Sequence, residues 1–192
     1  ISHNIKSVET AMRDADLVTI DLNSVKSSEV SSNQKFSPNG FDGREICAIS
    51  RYAGISNMVS SFGIYEYKPS VNDESTAMLI AQMVWYFVEG VNCRVKDDNF
   101  KNPDEFNKYI VLVEEQELVF YKSLKTGRWW VETLFLSKPH TKKTKHTLLA
   151  CMQSDYDKAV AGNIPERWYK AYKKNWNLVF ALFKNIKLKK VV

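Results

Sequence analysis

Nowhere in these 192 residues does an apolar run approach the 18 or more residues of a bilayer span, which excludes a membrane-spanning helix. Seven Gly and five Pro are too few for collagen, low-complexity disorder or a Gly/Ser linker. Cysteine is scarce as well. Cys47, Cys93 and Cys151 are an odd number, widely spaced and without a CxxC pair. Neither a disulfide framework nor a zinc site is expected from them, and a reducing, cytoplasmic setting is the expectation. The start, Ile1-Ser-His-Asn-Ile-Lys6, lacks the charged and apolar regions of a signal peptide. It does not open on Met either, so a processed or truncated product is expected.

Hydrophobic residues make up 44% of the chain, with 10 Phe, 9 Tyr and 5 Trp to fill a core. The length corresponds to one domain or one and a half, at roughly 100–200 residues each. Charge is divided unevenly. Residues 1–96 carry a net −2 and residues 97–192 a net +7. The excess lies in Lys138 to Lys145 and Lys184 to Lys190. Basic tracts of this kind can attract nucleic acid. No aromatic-interleaved groove accompanies them, so a solvated loop and tail are preferred and nucleic acid is not the expected partner.

The first half alternates in the manner of a parallel α/β sheet. Ser7 to Arg13 reads as a helix end, and Ala15 to Ile20 as a buried, β-branched strand. A polar stretch leads to a turn at Pro38-Asn-Gly40. A helix follows over 41–55, with Ile46, Ile49 and Ala53 at helical spacing and Gly54 as its C-cap. Val59 to Tyr65 is a second strand. A helix over 73–91, apolar nearly all round, is predicted to be well buried. Strand, helix, strand, helix in about 80 residues is the grammar of a parallel sheet, although two strands alone do not complete one.

After Asn92 the pattern changes. Asn102 and Pro103 open a short helix as N-cap and N1. Segments 109–113, 117–122 and 129–135 predict an antiparallel meander, with a turn at Lys125-Thr-Gly127. Ser154 with Asp157 resembles a capping box for a helix ending at Gly162. A last helix opens near Glu166, with Trp168, Tyr172, Trp176, Val179 and Phe183 on one stripe that docks on its own domain. The expected organisation is an α/β domain over 1–92 and an extension over 93–192 packed on it.

Two acids stand where chemistry is expected. Asp21 follows the first strand and Glu66 the second, and ligands of open α/β sheets bind beyond the carboxyl ends of strands. Neighbouring strands lie roughly 5 Å apart, so two such carboxylates can converge on one cation. Hard oxygens of this type suit Mg or Mn. Left to themselves, Asp21 can equally cap a turn and Glu66 can be solvated.

The wording then narrows the choice. Asp16-Leu-Val-Thr-Ile-Asp-Leu-Asn-Ser24, Ser37-Pro-Asn-Gly-Phe-Asp-Gly-Arg-Glu45 and Gly63-Ile-Tyr-Glu-Tyr-Lys-Pro69, followed by Thr76-Ala77, form a series. Over roughly residues 10–92 it resembles the C-terminal half of the ureohydrolase family of arginase, agmatinase and formimidoylglutamase. The phrasing is most similar to bacterial formimidoylglutamase-like members. The resemblance implies an arginase-like α/β fold and two Mn ions holding a hydroxide that attacks a linear amidine or guanidine carbon. It also implies a small-molecule amidine or guanidine substrate and a possible homo-oligomer. Asp21 matches the first metal-binding Asp, Asn23 stands where the second belongs, and Glu66 matches the acid holding the substrate's planar cation.

The departures fall on the metal side. Asn23 brings no charge, and Lys26-Ser27 replaces the Asp-Pro usual after the pair. The family's Gly-Gly-Asp-His and Asp-x-His-x-Asp elements are not in this sequence, and His3, His140 and His146 stand in neither context. The isolated chain is therefore expected to be inactive. The alternative is a non-catalytic scaffold or binding protein of the same fold that has lost its metal site.

Overall fold

The computed structural model describes residues 5–30, 38–69, 73–97, 100, 102–133 and 147–173. It divides into two compact units, Ile1–Lys96 and Asp97–Val192.

The first unit runs α1 (Lys6–Met12), β1 (Leu17–Asp21), α2 (Gly43–Ile55), β2 (Ser61–Tyr65) and α3 (Glu74–Asn92). The two strands are parallel, in register from Leu17 beside Ser61 to Asp21 beside Tyr65. A capping box sets the start of α2. The Asp42 carboxylate accepts the Glu45 N–H at 2.8 Å, and the Glu45 carboxylate accepts the Asp42 N–H at 3.0 Å. Such a cap contributes about 1 kcal/mol. Ile46, Cys47 and Ile49 then face Ile20, Leu22, Leu79 and Met83 in the core. Phe62 stacks on Phe87 with ring centroids 4.5 Å apart, tying β2 to α3. Arg94 closes the unit by donating to the carbonyls of Gly54 and Val59 at 2.6 and 2.8 Å.

Three expectations for this half need correction. The first strand is not buried throughout, because Val18 and Ile20 turn inward while Leu17, Thr19 and Asp21 are exposed. Gly54 does not cap α2. It lies buried inside the helix, and Ser56 is the C-cap. Nor is α3 buried all round: Thr76, Leu79, Met83 and Gly90 are buried, but Met78 and Trp85 are 62% and 61% exposed. The physical reason is supply of surface. Among the described residues of this unit α3 meets α2 along one stripe, and two strands offer no second wall.

The second unit opens with a 3-10 turn, Pro103–Glu105, capped by the Asn102 side chain, where a short helix was expected. Strands β3 (Phe106–Val113), β4 (Gln116–Ser123), β5 (Trp129–Thr133) and β6 (Thr147–Cys151) form one antiparallel sheet in that order. The expected meander is present and gains a fourth strand. Thr147–Cys151 is a short apolar run with no alternation to mark it. Helix α4 (Gln153–Val160) starts earlier than the Ser154–Asp157 box implies, since the Met152 N–H donates to the Asp155 carboxylate at 2.9 Å. A further helix, α5, covers 166–173. Its Trp168 is buried with Val113, Leu118, Phe120 and Trp129, and its indole N–H donates to the Glu132 carbonyl at 3.0 Å. Tyr172 stacks on Trp168, so this part of the stripe docks on its own unit. Trp176, Val179, Phe183, the basic tracts at 138–145 and 184–190, and all three histidines lie outside the described residues.

The architecture is mixed α/β, a parallel pair with flanking helices and a separate antiparallel sheet. No helix among the described residues is long and apolar enough to cross a membrane.

Candidate functional site

Asp21 is the last residue of β1 and sits directly beside Tyr65, the last residue of β2. Glu66 is the next residue on. The two acids therefore stand at adjacent carboxyl ends of one parallel pair, whose strands are spaced about 4.8 Å apart. Both are exposed.

Their local roles differ. Asp21 begins a 3-10 turn, Leu22–Ser24, and its Oδ1 accepts the Asn23 N–H at 2.7 Å. Ser24 Oγ donates to the Asp21 carbonyl at 2.6 Å. This is the capping arrangement that a short acid at a strand end favours. Glu66 has φ +64°, the left-handed region that bulky side chains avoid. It makes no hydrogen bond or ion pair with any described residue, and it is exposed.

The donor set for a metal can be judged from these groups. Asp21 supplies one carboxylate, with one oxygen engaged by the Asn23 amide, and Asn23 itself is neutral. Among the described residues no three His, Cys, Asp or Glu side chains come together as a metal-holding group. Two Mn ions carry four positive charges, and one carboxylate with one amide does not offset them. The described residues do not fit a dinuclear Mn centre.

A cavity of about 480 Å³ opens elsewhere, between the first turns of α2 and α3. Ser28, Glu29, Arg44, Ser75 and Leu79 are among its lining residues, and neither Asp21 nor Glu66 is. Of its two acids, Glu29 and Asp42, the second is engaged in the α2 cap. The two sequence-derived acids stand at the strand ends and not in this cavity.

Sequence reasoning passed over two neighbours of Glu66. Tyr65 and Tyr67 flank it and are 56% and 39% exposed. The Tyr65 ring folds back over Gly63: a Cβ placed on Gly63 would lie 2.7 Å from Tyr65 Cε2. The signal was legible, because a glycine two residues before an aromatic on one strand face leaves room for its ring.

What these features define is an α/β unit that presents acids, with aromatics beside one of them, at the ends of paired parallel strands. No protein-family profile matches the chain, and no curated protein matches it. Solved structures do. One is a Trypanosoma cruzi formiminoglutamase with Mn at pH 8.5, with 21% identity, TM-score 0.45, and coverage of 48% of this chain and 33% of that one. Another is formimidoylglutamase from Bacillus subtilis, with 16% identity, TM-score 0.39, and coverage of 41% and 25%. A third is Entamoeba histolytica arginase in complex with L-ornithine, with 18% identity, TM-score 0.41, and coverage of 44% and 31%. The matched part thus spans a quarter to a third of each of these proteins. Formiminoglutamase and arginase are members of the family that residues 10–92 resemble in sequence.

Proposed function

We propose that this chain serves a ureohydrolase-type reaction, hydrolysis of a linear amidine or guanidine C–N bond in a formimidoylglutamate- or arginine-like small molecule. Its own part is to hold the planar cationic end of that molecule. The observation that supports this most is the register of β1 and β2, which sets Asp21 beside Tyr65 and Glu66 one residue beyond. A carboxylate can grip a guanidinium or amidinium through two parallel N–H···O bonds, and Glu66 has no competing partner among the described residues.

Turnover is a separate matter. By resemblance, Asp21 and Asn23 lie on the Mn side, but their donor set does not fit the two ions. The chain as it stands binds rather than hydrolyses. A second reading, a non-catalytic binding protein or scaffold of ureohydrolase fold, is favoured by the neutral Asn23 and by Lys26 two residues past the turn. Calorimetry with Mn, followed by assays for urea, formamide and ammonia with arginine, agmatine and formimidoylglutamate, tests this. Weak metal binding and no turnover are expected, both for this chain and for Asn23→Asp. Tight Mn binding or turnover by the unmodified chain would overturn the assignment.

A further inference from the structure

We propose that the outer side of α3 is a self-association surface, on which a second copy of this chain packs its own α3 in the antiparallel direction. Met78, Ala81, Trp85 and Val88 recur at three- and four-residue spacing and so share one face of the helix. All four are exposed, and Met78, Trp85 and Val88 are each at least half exposed. Met83, on the opposite side, is fully buried. Val84 widens the exposed patch on one flank. Between Glu74 and Glu89 the helix carries no charged residue. A surface helix ordinarily sets charged and polar residues on its outer face. An outer face that lacks charge and holds a Trp and a Met has the composition of an interface centre.

The order of these residues selects the occupant. Reversed about position 83, the stripe maps onto itself. Met78 then meets Val88 of the second copy, and Ala81 meets Trp85, so each indole lies over a small residue, twice by symmetry. At both ends the exposed Glu74 carboxylate meets the exposed Asn92 amide, a hydrogen-bond donor. A parallel pair would instead oppose Trp85 to Trp85 and the like charges of Glu74 to each other. Antiparallel packing also brings opposite dipole ends together. The 19 residues of α3 make about 28 Å of helix. Two copies paired over that length bury on the order of 1,000 Å² in all, the lower bound of a specific interface, so the dimer is weak and reversible.

The test is sedimentation equilibrium of the full chain over a concentration series, with circular dichroism of every variant as the check on folding. The unmodified chain is expected to show a monomer–dimer equilibrium. Trp85→Ala is expected to weaken it roughly tenfold or more. Ala81→Trp opposes two indoles and is expected to weaken it as well. Carrying both changes at once merely exchanges the large and the small residue, so the double variant is expected to recover most of the loss. Asn92→Lys faces Glu74 and is expected to tighten the dimer at low salt, a gain that disappears in about 1 M salt. A chain that stays monomeric at every concentration overturns the proposal, whether the stripe is bare or is covered by another segment of the same chain. A dimer that Trp85→Ala leaves unchanged, or a double variant no better than either single one, overturns it too.

Discussion

Gly54 of α2 and Gly90 of α3 meet where the two helices cross. A Cβ on Gly54 would stand 2.2 Å from the Phe87 carbonyl oxygen and 3.0 Å from the Gly90 Cα. One on Gly90 would stand 2.6 Å from the Arg51 carbonyl oxygen. Those neighbours are backbone and cannot swing aside, so a methyl group at either position forces the helices apart.

Gly54→Ala and Gly90→Ala are each expected to destabilise the first unit by about 1–3 kcal/mol, the usual cost of overpacking. Alanine's better helix propensity, worth roughly 1 kcal/mol, works in the opposite direction and is outweighed. Denaturant unfolding followed by circular dichroism measures the balance. Unchanged or raised midpoints in both variants would show that the crossing is looser than its geometry implies.

The same pair shows what the sequence could and could not disclose. Glycine near a helix end reads as a cap from one chain segment alone, because the second helix is not in view. The positions of α2 and α3, both parallel strands and the β3–β4–β5 meander were legible, since period and turn residues are local. The exposed side of α3 was not. An all-round apolar helix implies burial, but what is available to bury it is a tertiary matter. Strand β6 escaped because five residues without alternation carry no period. At the candidate site, Asp21 and Glu66 could be placed by counting from strand ends, whereas the folding of Tyr65 over Gly63 required the pleat to be followed.

Acid should weaken the first unit through Glu89. Its carboxylate accepts a hydrogen bond from Arg51 Nε at 2.6 Å, and this bond holds the acid below its ordinary range, with partial desolvation opposing. A carboxyl lowered on folding contributes stability above its unfolded value, about pH 4.3, and loses it as pH falls through the lowered value. The stability gap between the unmodified chain and Glu89→Gln should therefore be constant at neutral pH and close on acidification. Because the pair is only partly buried, about 1 M salt, with a screening length of roughly 3 Å, should shrink that gap. A gap that widens toward acid would show that Glu89 gains nothing from Arg51.

Thiol reactivity should separate the three cysteines. Cys47 and Cys151 are buried, and burial raises the Cys47 thiol above its ordinary value, away from the reactive thiolate. Cys93 caps the end of α3 and is exposed. Iodoacetamide should modify Cys93 alone in the native chain and all three after unfolding, as mass spectrometry of the digested protein would record. Native labelling of Cys47 at the rate of Cys93 would mean that the core around Ile46 and Met83 opens readily.

Two glutamates occupy left-handed backbone, and replacing each with glycine should give opposite functional results. Glu114 has φ +56° in the two-residue β3–β4 turn, a place where hairpins favour residues tolerant of positive φ. Glu66 has φ +64° at the candidate site. Holding a side-chain-bearing residue there costs about 1–2 kcal/mol, part of which glycine returns as backbone entropy in the unfolded chain. Each substitution is accordingly expected to stabilise its unit by about 0.5 kcal/mol or more. Glu114→Gly should leave agmatine binding untouched. Glu66→Gly should abolish it while the midpoint of unfolding rises, because the substitution removes the carboxylate proposed to hold the cation together with the backbone strain. If Glu66→Gly lowers the midpoint, the residue supports the fold and its backbone conformation has no bearing on a ligand.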